Sequence, residues 1–453
     1  MKTDRRGFVR RALGATSAAL LGQGVGGRPG EARAGETSLL LPPPDLSGID
    51  HIVVVMMENR SFDHLLGWLP NADGKQAGLT YLDSRGAAHA THALAPDFTG
   101  CGHPDPDHSY LGGRVQYHDG AMDGFLRSGS NDEYSIGYYL EEDRPFFGAL
   151  ARHYTTLDRS FCSILGPTFP NRLFLHAAQT DRLSNTFVVA TMPTIWDRLL
   201  AAGVSSRYYF SNIPFLALWG TKYLQLGIAR SYLAFLADAA SGSLPAVSFV
   251  DPPFTVLDDG TGADDHPHAD LRRGDAFLAL TFHAVANGPA WPRTAFIVTN
   301  DEWGGFFDHV APPRAVAPNR VDPDLVLGRA RLGFRVPTVV ASPFSRGEAE
   351  NPRVSHQRFD HTSILKLIEW RFGLPPLTAR DALPGVGNLA RVLQFGHPCV
   401  EVPDLPRPPA PPPAPCPGGL APPSSTAASF AESDNCWAGL RDSGRLEGWD
   451  LEP

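Results

Sequence analysis

The run HIVVVMMENRSFD, residues 51–63, is the stretch that decides the fold. Residues 52–57 are apolar and mostly β-branched without polar alternation, which is typical of a parallel strand buried on both faces of a sheet. Residues 61–69 then have the pattern of a helix start. Ligands of open α/β sheets bind outside the carboxyl ends of the strands, so Glu58 and Asn59 lie where a site is expected. The simpler alternative is that these polar residues only cap the helix.

The first residues have the organisation of a bacterial export signal. Paired arginines, Arg5 and Arg6, precede a weakly apolar run at residues 12–25, which is too short and too Gly-rich to span a bilayer. The small-x-small triplet of residues 32–34 then provides a cleavage site. We expect residues 1–34 to be a twin-arginine-type signal that is removed, which predicts a periplasmic or secreted bacterial protein. An N-terminal tail with an incidental Arg-Arg pair is the alternative.

Charge and composition narrow the class of protein. Removal of the signal takes away seven basic and two acidic side chains and changes the formal net charge from −9 to −14. A chain this acidic lacks the general electrostatic footprint for nucleic acid or an anionic membrane. We expect one catalytic domain at residues 35–400 and a proline-rich tail at residues 401–453, packed on the domain or trailing it. An oxidising compartment allows disulfides, and the pair expected first is Cys416 with Cys436.

Apolar runs alternate with amphipathic segments along the rest of the chain. Short strands are predicted at Thr186–Ala190, Arg207–Phe210, Ala246–Val250, Ala295–Val298 and Thr338–Ala341. Helices are predicted at Arg144–Tyr154, Leu173–Thr180, Thr194–Ala202, Asp275–Ala286 and Asp360–Phe372. Residues 71–135 show little periodicity, which indicates loops that shape a site. The alternation predicts an α/β fold with a mainly parallel central sheet, helices on both faces and loop insertions.

A second predicted strand ends in polar residues of the same kind. The apolar residues 294–299 lead into Asp301 and Glu302, just as the opening run leads into Glu58 and Asn59. Two such strand ends at one crevice would supply four oxygen ligands, which suit one hard or borderline divalent cation. Taken alone, an Asp-Glu pair after a strand is more often a solvated turn.

Thr168 and several histidines add the groups that phosphoryl chemistry needs. Thr168 lies just before a predicted helix, where free backbone amides and the helix dipole favour a phosphate. A hydroxyl bound to a metal loses its proton more easily, so Thr168 could act as a nucleophile. Imidazoles that can bind phosphate or protonate a leaving oxygen lie in polar loops or at element ends, at His108, His266, His309 and His361. Each of these residues alone is more often structural, and only the joint pattern favours catalysis.

Four ordered motifs resemble those of bacterial phospholipases C and related acid phosphatases, within the alkaline-phosphatase-like superfamily. The similarity covers about residues 48–375. The motifs are Glu58-Asn59-Arg60-Ser61-Phe62-Asp63, Gly166-Pro167-Thr168-Phe169-Pro170-Asn171-Arg172, Asp301-Glu302 with Gly304-Gly305 and Phe307-Asp308-His309-Val310, and Phe359-Asp360-His361-Thr362-Ser363. The resemblance implies a sheet sandwiched by helices, in agreement with the strand pattern.

The resemblance also implies roles for individual side chains. A divalent metal would be held by Glu58, Asn59, Thr168, Asp301 and Glu302. Thr168 would be phosphorylated transiently, and phosphate contact or proton transfer would fall to His108, His266 and His309. Substrate binding would fall to Asn171, Arg172, His268 and His361, of which His268 matches the family pattern less clearly.

The threonine at the nucleophile position favours a phospholipase C, which cleaves phospholipid to diacylglycerol and a phosphorylated head group and makes peripheral membrane contact. A periplasmic acid phosphatase acting on small phosphomonoesters is the alternative, because the tail is too short for the extra β domains of the larger haemolytic relatives. A non-catalytic exported metal- or lipid-surface-binding protein is the alternative of another class. Candidates for an aromatic cage around a choline head group are Tyr110, Tyr117, Tyr138 and Trp303.

Overall fold

The strand predicted from the opening run lies in the middle of the central sheet. This strand, β1 (His51–Met57), pairs in parallel with residues 294–300 on one side and with residues 247–250 on the other. Residues 52–57 are all buried, so the predicted doubly covered parallel strand is confirmed. The computed structural model describes residues 41–256, 260–417 and 436–449. The predicted export signal at residues 1–34 lies outside them.

The strands and their order define a mixed sheet that is mostly parallel. In chain order the strands are β1, β2 (Thr80–Leu82), β3 (Ala88–Ala90), β4 (His92–Ala93), β5 (Gly137–Tyr138), β6 (Thr155–Leu157), β7 (Ser160–Phe161), β8 (Ser206–Phe210), β9 (Ala229–Ser231), β10 (Val247–Val250), β11 (Thr294–Asn300), β12 (Arg314–Val316), β13 (Arg329–Arg331), β14 (Thr338–Ala341), β15 (Val354–Ser355) and β16 (Phe359–Asp360). Among the described residues, the large sheet has the order β15-β6-β14-β11-β1-β10-β8-β9. Only the pairings of β14 with β11 and with β6 are antiparallel in this sheet.

One predicted strand is wrong. Residues 186–190 form no strand, and Val188 and Val189 are 65% and 38% exposed. The β-branched run therefore crosses the surface, where it has no neighbouring strand to supply hydrogen bonds, and its intrinsic β preference is overridden.

The helices flank the sheet, and two of them begin earlier than the sequence pattern predicts. They are α1 (Phe62–Leu66), α2 (Tyr110–Tyr117), α3 (Pro145–His153), α4 (Thr168–Ala177), α5 (Ile195–Ala201), α6 (Lys222–Gln225), α7 (Tyr232–Ser241), α8 (Leu271–Ala286), α9 (His361–Phe372), α10 (Ala379–Ala382) and α11 (Cys436–Asp442). Helix α4 starts at Thr168 rather than Leu173, because Pro170 falls in the first turn, where a missing N–H costs no helix hydrogen bond. Helix α8 starts at Leu271 after the cap Asp270, whose side chain accepts from the N–H of Arg272.

The two faces of β1 pack into two separate apolar cores. Ile52, Val54 and Met56 belong to one core together with residues of α4 and α9. The intervening side chains of β1 belong to the other core, together with residues of α3 and α8. The helices therefore cover both faces of the sheet, as predicted, and the polar residues that follow β1 emerge at the sheet edge between the two cores.

The region predicted as loops contains regular structure as well. Residues 71–135 include α2 and the short strands β2 to β4. This region is also the anchor of the tail, because Cys101 forms a disulfide with Cys416 (Cα–Cα 5.4 Å). The expected Cys416–Cys436 pair is therefore wrong, and Cys436 is a buried free thiol at the start of α11. In the part of the chain that the structure describes, no helix has the length and apolar character needed to cross a membrane.

Candidate active site

The carboxyl ends of β1 and β11 bring the four predicted acidic and amide ligands together. The Asp301 Oδ1 atom accepts hydrogen bonds from the backbone N–H groups of Asn59 (3.1 Å) and Glu302 (2.7 Å). Asn59 has a left-handed backbone (φ 53°), and a Cβ atom on the neighbouring Gly304 would lie 2.0 Å from its carbonyl oxygen. Only glycine fits this close approach. Glu58, Asn59, Asp301 and Glu302 are all fully buried at this junction.

Arg172, from the second turn of α4, is held by carboxylates at the same junction. Its Nε lies 3.1 Å from Glu58 Oε1 and 3.1 Å from Asp301 Oδ2, and a terminal nitrogen lies 3.0 Å from Asp251 Oδ1. Burial opposes the charged guanidinium, but the charges of Glu58 and then Asp251 raise the pKa of Arg172. The predicted substrate-binding residue is therefore placed against the predicted metal ligands, where it offsets part of their negative charge.

Thr168 is the first residue of α4, and the loop before it is fixed by Asn171. The Asn171 side chain accepts from Ile164 N–H (3.0 Å) and donates to Gly166 O (2.7 Å), which clamps the loop onto the first helical turn. Thr168 is 1% exposed, and its hydroxyl interacts with the thiol of Cys436. Asn171, a predicted substrate-binding residue, thus shapes the backbone that presents Thr168.

Two observations indicate that the residues at this junction can bind a cation. Among the described residues, the buried oxygens Asn59 Oδ1, Glu302 Oε1 and Thr168 Oγ1 have no hydrogen-bond partner that is a nitrogen or an oxygen. Burial, followed by the charge of Asp301, raises the pKa of Glu58 and of Glu302, so the cluster carries more negative charge than it can solvate. Oxygen donors with surplus negative charge are the site type that hard divalent cations bind. The predicted ligand set is compatible with a metal.

His108 and His266 present one ring nitrogen each toward this junction. The Nδ1 atoms lie 2.8 Å from Pro106 O and 2.9 Å from Pro267 O. A carbonyl only accepts, so in the neutral rings Nδ1 carries the proton and Nε2 is an acceptor. The Nε2 atom of His108 lies 3.4 Å from the Asn59 amide nitrogen, and burial with the adjacent His108 lowers the pKa of His266 to about 3. Both neutral rings therefore offer an Nε2 lone pair that can bind a cation or accept a hydrogen bond.

A second group of possible cation ligands adjoins the first. Asp105, His108 and His266 offer ligand atoms within 4.8 Å of one another, and His266 Nε2 lies 3.7 Å from Asp105 Oδ2. His108 Nε2 is also 4.0 Å from Glu302 Oε1, which joins this group to the strand ends. Asp105 was missed as a site residue from the sequence, although it lies three residues before His108.

His309 lies in a different network. Its Nδ1 is 2.5 Å from Asp63 Oδ2 and its Nε2 is 3.1 Å from Asp73 Oδ1, and Arg335 binds both Asp63 and Asp308. Within the part of the chain that the structure describes, no hydrogen bond or ion pair joins His309 to the strand ends or to Thr168. The contacts show a buried ion-pair network, and the catalytic role of His309 stays a prediction.

The other two predicted histidines bind backbone carbonyls. His361 Nε2 lies 3.1 Å from Asn300 O, directly before Asp301, and burial lowers the pKa of His361. His268 Nε2 lies 3.0 Å from His103 O, and its backbone is left-handed (φ 79°). His361 thus supports the end of β11, whereas His268 fixes the loop that carries His266.

Three of the four rings predicted for an aromatic cage, those of Tyr110, Tyr117 and Trp303, make contacts within the protein. The guanidinium of Arg114 lies 3.2 Å from the Tyr110 ring centroid, and that of Arg331 lies 3.9 Å from the Tyr117 ring centroid. Trp303 is fully buried and donates to Gln116. These rings already serve internal contacts.

Two further residues at the junction were missed by sequence reasoning. Asp251 follows β10, the other parallel neighbour of β1, so the rule that singled out Glu58 could have found it. Trp437, from α11, donates its indole N–H to Glu58 Oε2 at 2.7 Å. No local signal in the sequence pointed to Trp437.

Comparison with known proteins assigns the chain to a family. Residues 49–375 match the model of the family described as "Phosphoesterase family". The chain is 33% identical to non-specific phospholipase C6 of Arabidopsis thaliana over 74% of this chain and 71% of that protein. It is 33% identical to phospholipase C A of Mycobacterium tuberculosis (strain ATCC 25618 / H37Rv) over 79% of each chain.

More distant similarities were also found. Non-hemolytic phospholipase C of Pseudomonas aeruginosa is 30% identical over 89% of this chain and 65% of that protein. A solved phosphonate monoester hydrolase of Agrobacterium radiobacter aligns with a TM-score of 0.37 at 12% identity, over 77% of this chain and 78% of that one, and adds nothing to the family assignment. The chain belongs to the phosphoesterase family, and it is a hydrolase acting on phosphoric ester bonds.

Proposed function

We propose that the protein is an exported, metal-dependent phospholipase C that cleaves phospholipid to diacylglycerol and a phosphorylated head group through a covalent intermediate on Thr168. The observation that carries the proposal is the Thr168 hydroxyl, which is buried and has no nitrogen or oxygen as a hydrogen-bond partner among the described residues. Its motif occurs together with the motifs that contain the buried carboxylates Glu58, Asp301 and Glu302. The two 33%-identical relatives named phospholipase C support the reaction class.

We assign the proposed metal ligands and Arg172 the following roles in this reaction. One divalent cation, held by Glu58, Asn59, Thr168, Asp301 and Glu302, would lower the pKa of the threonine hydroxyl and neutralise charge on the phosphoryl oxygens. Arg172 holds two of these carboxylates in place through its Nε. Buried charge of this kind acts strongly because water is excluded.

The proposed reaction has two steps, formation and hydrolysis of the covalent intermediate. The Thr168 oxygen attacks phosphorus, the bond from phosphorus to the glycerol oxygen breaks, and diacylglycerol leaves with the proton that Thr168 lost. Water then attacks the same phosphorus, which releases the phosphorylated head group and restores the hydroxyl. His108 Nε2, which is an acceptor in the neutral ring, is the atom we assign to carry the proton between oxygens.

The test compares two substrates and two substitutions in the full chain. We expect wild type to release choline phosphate from phosphatidylcholine vesicles and Thr168→Ala to lose at least about 10³-fold in kcat, because the nucleophile is gone. Chelation of divalent ions should abolish wild-type turnover, and re-addition should restore it. Thr221→Ala, a partly exposed threonine at the start of α6, is the matched control and should leave kcat unchanged.

The same assay with a small aryl phosphate decides between the alternatives. Turnover of the aryl phosphate without lipid turnover would overturn the phospholipase assignment in favour of an acid phosphatase. Absence of both activities, with metal binding unaffected by Thr168→Ala, would show a binding protein without turnover.

A further inference from the structure

The helix α11 enters the candidate active site with its first two residues. The indole N–H of Trp437 donates to Glu58 Oε2 at 2.7 Å, across a sequence separation of 379 residues. The preceding Cys436 places its thiol beside the Thr168 hydroxyl. A segment from the end of the chain therefore contacts both a predicted metal ligand and the predicted nucleophile.

The direction of the Trp437 indole is fixed by its neighbours. The indole stacks on Phe254 with ring centroids 3.6 Å apart and planes 10° from parallel. The guanidinium carbon of Arg172 lies 5.3 Å from the Trp437 ring centroid and 4.7 Å from that of Phe254. With the side chain 1% exposed, the N–H group has one orientation, toward Glu58.

The two oxygens of Glu58 consequently receive different donors. Oε1 is held by Arg172 at 2.9 Å, and Oε2 is held by Trp437 at 2.7 Å. Each carboxylate oxygen keeps a further lone pair, so both hydrogen bonds are compatible with metal coordination. Two donors on two oxygens set the rotation of the carboxylate, whereas Arg172 alone would leave Oε2 free to turn away.

The rest of the segment 436–449 anchors this contact. Leu440 is fully buried in the core that also contains α4, and Trp449 packs on Phe210 with ring centroids 5.8 Å apart. A Cβ atom on Gly439 would lie 2.3 Å from the ring of Phe187, so the helix backbone is tight against the domain. The segment 436–449 is therefore packed tightly against the domain beside the site.

We infer that Trp437 is a positioning residue that holds Glu58 in the orientation in which it binds the metal, so that the C-terminal segment completes the metal centre. The inference rests on the metal of the proposed function. Hydrogen bonds to a metal ligand from outside the coordination shell typically contribute 10- to 100-fold in metal affinity. The opposite arrangement, a segment that competes with the metal for Glu58, predicts a change of the opposite sign.

The experiment measures metal affinity in the full chain without substrate. Mg²⁺, Ca²⁺, Mn²⁺ and Zn²⁺ are titrated calorimetrically into metal-free wild type, and the tightest ion is then titrated into Trp437→Phe, which keeps a stacked ring and loses the donor. We expect the dissociation constant to rise about 10- to 100-fold. Trp449→Phe is the matched control, because the Trp449 indole nitrogen has no hydrogen-bond partner among the described residues. Its dissociation constant should stay within about 3-fold of wild type.

A second measurement needs no substitution of Trp437. In wild type labelled with ¹⁵N-tryptophan, the indole N–H bonded to Glu58 should exchange slowly with solvent and shift when the metal binds, and Glu58→Gln should abolish the metal-dependent shift. Unchanged affinity in Trp437→Phe, tighter binding in that variant, or no indole signal that responds to metal would each overturn the inference. If wild type binds none of the four ions, the metal of the proposed function is wrong as well. If wild type binds an ion and only the Trp437 results differ from those expected, the inference alone is wrong.

Discussion

At the residue scale, His309 shows how a histidine in a family motif can serve the fold. Its ring lies between Asp63 and Asp73, and Arg335 binds Asp63 from the other side at 2.9 Å. Burial opposes a charged ring here, but the hydrogen bond and charge of Asp63 raise the pKa of His309 above its ordinary value of 6.5. Charged His309 is therefore a stabilising member of a buried network.

The sign of the pH dependence follows from this raised pKa. A histidine whose pKa is higher in the folded protein stabilises the fold fully below the unfolded value of about 6.5, and this contribution is lost as the pH rises through the folded pKa. We expect His309→Gln to lower the free energy of unfolding by about 1.5–3 kcal/mol near pH 5.5, with a smaller difference near pH 9. Urea unfolding of both proteins at the two pH values measures this.

The control for this prediction is His397→Gln, because the ring of His397 lies on the surface. Its effect should be small at both pH values. A difference between wild type and His309→Gln that grows toward alkaline pH would show that His309 is not charged in the folded protein.

Arg172 shows a limit of sequence reasoning at the same scale. Its motif grouped it with substrate-binding residues, but its guanidinium is hydrogen-bonded to Glu58, Asp251 and Asp301. Residue type and spacing place an arginine near a phosphate site, and a guanidinium binds carboxylates and phosphates with the same fork of donors. The sequence cannot distinguish these partners, because they come from three different strand ends.

At the element scale, the strand ends were the predictable part of the site. An apolar run without alternation requires cover on both faces, and β1 has it, with alternate side chains in two cores. The polar residues after β1 and β11 could be placed at one edge, because neighbouring parallel strands end on the same side of a sheet. The same local rule covers Asp251 after β10.

The elements that could not be predicted depend on contacts far apart in sequence. The Thr186–Ala190 run has strand propensity but no strand beside it. Cys101 and Cys416 are 315 residues apart, and nothing in the spacing of five cysteines favours that pair. The placement of α11 against Glu58 depends on a pocket formed by Phe254, Phe169 and Phe215, which exists only in the folded domain.

At the scale of the whole molecule, the proposed export route bears on the compartment in which the protein would bind its metal. Twin-arginine signals carry folded proteins, so the chain could bind metal before it leaves the cytoplasm. We propose this route on the basis of Arg5 and Arg6 in the sequence, which lie outside the described residues.

Export is tested by fractionation of bacteria that express the full chain. Replacement of Arg5 and Arg6 by lysine should retain an uncleaved precursor in the cytoplasm, whereas wild type should be found in the periplasm or medium at the mass of the shortened chain. Arg10 and Arg11 form a second pair in the same segment and provide the matched control. Normal export of the Arg5→Lys/Arg6→Lys protein would rule out the twin-arginine route.

The central claim is that Thr168 forms a covalent bond to phosphorus during turnover. The most direct measurement is rapid acid quench of the metal-loaded enzyme with phosphatidylcholine, followed by mass spectrometry of the peptide that contains residues 166–172. The account predicts a transient adduct on Thr168 with the mass of the phosphorylated head group, formed no later than the first diacylglycerol and absent in Thr168→Ala and after chelation. Turnover by Thr168→Ala at the wild-type rate, with no adduct on wild-type Thr168 at any quench time, would contradict it.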